Sequence, residues 1–355
     1  MCSVTPLLTA ILSIVSFFLV FASSTLAQPK VSRLLPVKIG GRWGYINTQG
    51  RIVIRPRFVV AADFSEGLAA VRDEDGWFYY IDQSGQCATG ALRFRYADRF
   101  SEGLAAVQRE SFNDRVGFID RTGKFVIPER FDSFTGKILG RFENGVAFVI
   151  IDGKVGFIDH RGDFVINADF DADSVQNASE FHEGLALIRK KGLYGYVDRS
   201  GTITISPRFA MADPFSEGLA AVSIDGKKFG FIDANGRMVI DPTYDWAGGF
   251  AEGLAVVNIG MAWHGHQKSG GMNGYINRNG KIIIPIRYQS AMEFSKGLAS
   301  VRINEKWGFI DKMGKTRIRP RFDWAETFEE GTSRVTVGEN TGYIDTTGRY
   351  IWRPT

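Results

Sequence analysis

The chain has 355 residues, of which 44% are hydrophobic and 23% charged, a balance that excludes intrinsic disorder and fits a folded globular protein. Its formal charge of +4 comes from 43 basic and 39 acidic residues scattered in both signs; with no basic block, nucleic acid is not expected as a partner. Abundant aromatics (28 Phe, 11 Tyr, 7 Trp) and 41 Gly suit many short strands joined by tight turns.

The N-terminal stretch "LLTAILSIVSFFLVFASSTLAQ", Leu7 to Gln28, is apolar and uncharged and closes on small residues around Ala27. This is the pattern of a signal-peptide core cleaved after Ala27, so residues 1–27 are expected to be an export signal and 28–33 a short linker. No Lys or Arg precedes the core, while Lys30 and Arg33 follow it. About 17 to 25 apolar residues can span a bilayer, which keeps an uncleaved membrane anchor open. Either way the rest of the chain is expected outside the cytoplasm, periplasmic or extracellular. Two cysteines, Cys2 and Cys87, are too few for a disulfide framework.

From Leu34 the chain repeats itself. "RWGYINTQGRIVIRP" at Arg42 reads as a strand, a tight turn and a strand that ends at Pro56, a residue unable to donate a ladder hydrogen bond. In the turn, Asn47 or Asp stands three residues before a glycine, the signature of a type I turn closed by a left-handed glycine. The turn glycine recurs at 50, 85, 123, 162, 201, 236, 280, 314 and 348. Between these glycines a second phrase recurs, "FSEGLAAV" at Phe64, Phe100 and Phe215 with close copies elsewhere. Its apolar run supplies one further strand, so each unit is a three-stranded antiparallel meander and the array holds about nine, spanning residues 34–355.

Three details of the unit carry their own expectations. The return segment follows Phe/Tyr-x-x-Ala-x-x-Phe, as in Phe322, Ala325 and Phe328, and spacing of three predicts a short helical turn. The Glu-Gly pairs, such as Glu66-Gly67 and Glu252-Gly253, predict a turn in which glycine supplies positive φ. The glycine after the aromatic, Gly44 or Gly308, marks a bulge or leaves room for a ring. The second unit departs most, with Tyr79 in that glycine's place and "QCATGALRF" replacing the third strand. Because the array begins and ends in phase, an open, curved, solenoid-like array is expected, with a closed propeller-like ring as the alternative.

The largest irregularity lies between Gly236 and Gly280, where "IGMAWHGHQKSGGM", Ile259 to Met272, is inserted. It reads as an exposed loop. His264 and His266 have a metal-ligand spacing, but two ligands without a third make a weak site, and no metal is expected. Trp263 beside polar residues has the composition of an interface hot spot, with folding back onto its own sheet as the alternative. Trp263, His264 and His266 are therefore the candidate binding residues. His160 and His182 read as solvated loop residues.

Trp-Gly-Phe-Ile-Asp-x-x-Gly together with Phe-Ser-Glu-Gly-Leu-Ala-x-Val resembles the WG (KWG) repeat family of bacterial proteins, over roughly Leu34 to Pro354. Trp precedes the glycine only at Trp43 and Trp307; Phe, Tyr, Val, Asn or Thr stands there elsewhere. The resemblance implies tandem β-repeats and a binding role, and brings no catalytic residues to carry over. The recurring Asp and Glu are explained by turns, Ser269-Gly270-Gly271 lacks the Lys-Ser/Thr of a phosphate loop, and no nucleophile–His–acid set can be assembled. The chain is thus expected to be a non-catalytic, cofactor-free scaffold for a protein or cell-envelope partner. A purely structural envelope protein is the alternative, and a hydrolase with an unrecognised site comes third.

Overall fold

Each repeat folds as a small antiparallel sheet, and nine such sheets follow one another along the chain. The computed structural model describes residues 33–109, 115–133, 140–172, 180–264 and 267–353; the expected signal or anchor lies outside them. The sheets, here called blades one to nine, span 34–58, 60–94, 96–132, 147–171, 181–209, 211–244, 246–288, 290–322 and 324–352. There is no helix among the described residues.

Blade eight shows the design. Its strands are Ser290–Ala291, Leu298–Ile303, Lys306–Asp311 and Thr316–Phe322, paired in chain order. Leu298, Ala299, Ser300 and Val301 are all buried, because this strand is covered on both faces by neighbouring blades. The small Ala299 and Ser300 between branched Leu298 and Val301 let the layers approach. The next turn is as the spacing predicts: the Gly314 N–H donates to the Asp311 carbonyl (2.8 Å), the Asp311 N–H to the Lys315 carbonyl (2.9 Å), and Gly314 has φ 76°. The Trp-Gly glycine marks a bulge. A Cβ on Gly308 would lie 2.6 Å from the Ile318 carbonyl oxygen and from the Pro320 nitrogen, and the register shifts on both sides of Phe309.

The return segment is not helical. Trp324–Ala325 pairs with the following strand of blade nine, the Asp323 N–H donating to the Thr336 carbonyl and the Glu326 N–H to the Arg334 carbonyl, both at 2.9 Å. These backbone groups find partners in the sheet, so an i→i+3 helix has nothing to satisfy. Spacing of three still marks burial, since Phe322, Ala325 and Phe328 share one core. Most blades thereby gain a fourth, two-residue strand. The hairpin that follows is a two-residue type I′ turn in which both central residues are left-handed, Lys296 at φ 55° and Gly297 at 77°. At the corresponding turn position, seven further residues, all Glu or Asn, share that conformation, among them Glu217 at 52° and Glu252 at 53°. In blade two the third strand is reduced to isolated bridges, Phe78 to Phe94 and Ile81 to Cys87, where the sequence departs from the repeat.

The array closes. In five blades the second long strand carries a tyrosine whose hydroxyl donates to a carbonyl of the next blade. Tyr45 reaches Ala62 (2.7 Å), Tyr196 Asp213 (2.7 Å) and Tyr275 Met292 (2.8 Å), and Tyr80 reaches Asp98. Tyr343 of blade nine makes the same bond to Pro36 of blade one, at 2.9 Å. The Arg33 guanidinium donates to the Glu329 carbonyl and carboxylate across the same seam. Leu35, Val37 and Ile46 form one core with Tyr343, joined by Ile351 and Trp352. Of the two arrangements considered from sequence, the structure therefore takes the closed nine-bladed propeller. In-phase ends do not prevent closure, because the seam joins by packing one blade face on another and needs no exchanged strand. An open array would leave those apolar faces in water.

Candidate functional site

Antiparallel meanders put the Glu-Gly turns and the Asp-x-x-Gly turns at one end of every blade, and the turns between the two long strands at the other. At the first end, charge is spent on joining blades. The Glu217 carboxylate accepts from the Gly253 N–H (2.9 Å), Glu183 from Gly218 (2.8 Å) and Glu252 from Gly297 (3.0 Å). Lys312 lies 3.1 Å from Glu252, and Arg199 donates to the Asn144 carbonyl (2.7 Å). His160, expected to be solvated, stacks on Phe142 with ring centroids 4.4 Å apart and sits 3.2 Å from Glu102. His182 lies on a two-residue strand.

A recess of about 350 Å³ at blades three to five contains Arg99, Arg141, Glu143 and Glu180. Burial and the neighbouring Glu180 carboxylate push the Glu143 carboxyl up from its ordinary value. Arg141 is already paired with Asp98 at 3.3 Å.

Among the described residues, the other end departs furthest from the repeat at blade seven. There the insertion does not form a loop. It extends the two long strands into an 11-residue pair, Leu254–His264 and Gln267–Asn277, in register down to His264 opposite Gln267. Trp263 pairs with Lys268 on this hairpin, His264 stands at its tip, and His266 lies outside the described residues. The described residues contain no cluster of three or more His, Cys, Asp or Glu able to hold a metal.

The hairpin is bent where it leaves the sheet. Gly260, Gly270 and Gly271 have φ of 88°, 78° and 72°, and a Cβ on Gly271 would lie 2.2 Å from Asn258 Oδ1. Asp245 ties this bend to the short strand, accepting from the Gly260 N–H (2.7 Å) and from Lys228 (2.6 Å). Partial burial works to raise the Asp245 pKa, but those two partners outweigh it and hold the carboxyl below its usual range.

Below the bend, between blades seven and eight, opens a cleft of about 420 Å³, within the size range of ligand sites. Trp246, Met261 and Ala291 give it apolar walls, and Asn258, Asn273 and Gln289 supply amides. Asn258 Nδ2 donates to Asn273 Oδ1 (3.1 Å), and Asn273 Nδ2 donates to the carbonyls of Tyr288 and Gln289 (both 3.1 Å). Gln289 exchanges hydrogen bonds with Glu305 (2.7 and 3.0 Å). Asn258 Oδ1 is buried with no donor among the described residues. The sequence pointed to this blade through its insertion but placed the candidate residues at the hairpin tip. The cleft at the hairpin base was signalled by Asn273 standing where Trp43, Phe78, Tyr194, Phe229 and Trp307 stand in other units.

The family model described as "WG containing repeat" matches eight segments, residues 43–77, 80–111, 117–154, 156–194, 194–227, 229–260, 274–307 and 307–340. Among solved structures, the chain is similar to one titled as a eukaryotic initiation factor, at 11% identity and a TM-score of 0.63, covering 90% of this chain and 95% of that one. A computationally designed protein, Ika8, matches at 11% identity and a TM-score of 0.46, covering 90% and 98%. BamB from Moraxella catarrhalis matches at 10% identity and 0.42, covering 79% and 94%. At these identities the likeness concerns the fold alone. No curated protein matches the sequence.

Proposed function

The chain belongs to the WG containing repeat family, and from that premise we propose that it is a non-catalytic interaction scaffold whose partner is a protein or a component of the cell envelope, held at blade seven. The observation that carries this reading is the coincidence, in one blade, of a lengthened hairpin and a cleft at its base. Repeated blades offer a partner little to distinguish, so recognition falls to a blade that departs from the pattern, and blade seven, unlike blade two, adds a lengthened hairpin. The apolar run Leu7 to Ala22 supports export, with the propeller outside the cytoplasm as a cleaved or anchored product. No helix among the described residues is long and apolar enough to cross a membrane.

The test is capture of partners from an envelope extract by the chain from Gln28 onward, beside a version lacking residues 259–272. Equal recovery of the same partners by both would remove blade seven from the reading. Turnover in a hydrolase screen that disappears in Glu143→Gln would replace it with an enzymatic one, since Glu143 and Glu180 are the paired carboxylates such chemistry would use.

A further inference from the structure

We propose that the cleft between blades seven and eight receives an aromatic side chain of a partner protein, entering where the junctions of blades two with three and eight with nine pack rings of their own. The inference rests on the scaffold reading above and supplies its chemistry. It begins from register. The residue before the Trp-Gly glycine pairs with a residue at or next to the end of the preceding strand: Trp307 pairs with Arg302, Tyr194 with Arg189 and Phe78 with Arg72. In blade seven the same pair is Asn273 and Asn258.

Across the junction to the next blade, Trp307 meets Trp324 with ring centroids 4.9 Å apart, and Phe78 meets Tyr96 at 6.4 Å. Trp324 precedes Ala325 on the short strand, and the corresponding residue of blade eight is Ser290, which precedes Ala291 and pairs with Arg302. At the seven–eight junction both rings are thus missing, Asn273 standing for one and Ser290 for the other. Their absence leaves the cleft of about 420 Å³.

What remains around that space suits a ring brought from outside. The Trp246 ring, Met261 and Ala291 offer apolar contact, and aromatic pairs favour the inclined packing seen at those two junctions. The amides do not compete for the occupant, because Asn273 and Gln289 are engaged with protein groups. Asn258 Oδ1 is the exception, a buried acceptor without a donor. An indole N–H or a phenol O–H complements it, which favours Trp or Tyr over Phe. Met261 and Gly270 belong to the extended hairpin and line the same cleft, so the insertion forms a wall beside an arriving chain.

The probes are N-acetyl-tryptophanamide and N-acetyl-tyrosinamide, with N-acetyl-leucinamide and a disaccharide as the other occupants, titrated into the chain from Gln28 onward by two-dimensional NMR. The expected result is saturable binding of the two aromatic amides, with shifts around Trp246 and Ala291. Asn273→Phe sets a ring where Phe78 and Trp307 stand in blades two and eight and should weaken binding about tenfold or more while raising the thermal midpoint. Ser290→Trp fills the cleft from the opposite side and should do the same, which keeps the test standing if the first variant misfolds. Absence of saturable aromatic binding, equal binding of the leucine amide, preference for the disaccharide, or full binding by both filled variants would each overturn the inference. If the filled variants still capture the partner that deletion of residues 259–272 loses, the aromatic cleft fails while the scaffold reading stands.

Discussion

Replacing Gly308 with alanine would set a methyl group where the third strand of blade eight already runs. The new Cβ would lie 2.6 Å from the Ile318 carbonyl oxygen, 2.6 Å from the Pro320 nitrogen and 2.8 Å from the Pro320 Cα. All three are backbone atoms, so no rotamer change relieves the contact and the strand itself must move by roughly half an ångström in a close-packed interior. Overpacking of this kind costs about 1–3 kcal/mol, and a rigid wall places it near 3. Gly297→Ala is the control. Gly297 has φ 77° and nothing within 4 Å of its would-be Cβ, so only the left-handed strain of about 1–2 kcal/mol applies. In urea titrations followed by far-UV circular dichroism, Gly308→Ala should lie below Gly297→Ala by about 1–2 kcal/mol, with equal slopes. At about 2–4 °C per kcal/mol the thermal midpoints should separate by a few degrees. Blade two already performs the substitution: Tyr79 occupies the glycine position, and the regular third strand gives way to isolated bridges. A Gly308→Ala protein within a few tenths of a kcal/mol of the parent, or more stable than Gly297→Ala, would refute the steric account.

Closure predicts that Tyr343→Phe costs about 1–2 kcal/mol, as much as Tyr196→Phe within the ring, because each strands a carbonyl of the next blade; a silent Tyr343→Phe in chemical denaturation would mean an open seam. Glu217 combines φ 52° with a bond to the Gly253 N–H, so both Ala and Gly lose the bond but Gly also releases strain, and Glu217→Gly should be more stable than Glu217→Ala by about 1 kcal/mol. Equal midpoints for these two variants would show that the turn is unstrained. Asp198 accepts from the Ser200 hydroxyl and from the Ser200 and Thr202 N–H groups (2.6, 2.9 and 3.0 Å), led by the hydroxyl, and its pKa is lowered. A lowered folded pKa gives stability that is present above the unfolded value of about 4 and is lost as the pH falls through the folded one. Asp198→Asn, the choice the chain itself makes at Asn47 and Asn277, should therefore trail the parent slightly at pH 7 and lose that deficit in acid; a gap that grows below pH 4 contradicts the assignment.

How much of this was legible follows from what a repeat averages over. The long strands, the Asp-x-x-Gly turns and the bulge glycines recur in most units, and each is decided within a few residues of itself, so repetition exposes them. The return segment was misread because period three is ambiguous: Phe322, Ala325 and Phe328 are buried together whether the backbone between them is helical or extended. What decided it was the edge of the next strand, where Asp323 and Glu326 donate to Thr336 and Arg334. The left-handed Glu217 escaped notice for a related reason. Glycine advertises positive φ, while a glutamate does not; here the two-residue turn imposes it, as it does on Lys296, and the carboxylate then bonds the neighbouring blade. Closure depends on how far each blade turns relative to the last, a sum of small rotations that no single unit encodes. The cleft was half visible, in that Asn273 broke the aromatic column, but that Ser290 breaks its partner column appears only once blade eight is set against blade seven.

The energetics of that double break bear on why the space is open. A buried aromatic covers about 150–250 Å², so at about 25 cal/mol per Å² a missing pair forgoes several kcal/mol of burial that the junction between blades eight and nine retains through Trp307 and Trp324. Such a deficit is tolerable because the seven–eight junction keeps Tyr275 bonded to Met292 and Asn273 bonded to the carbonyl of Gln289, which leads into blade eight. It also has a definite consequence for binding. An entering ring meets a preformed wall and recovers area that the fold left exposed, with little ordering to offset. The same site in blade eight is occupied by its own indole, and any partner there must first displace it. Selectivity over the ring-filled junctions of blades two with three and eight with nine then needs no special contact. It follows from the space that Asn273 and Ser290 leave open.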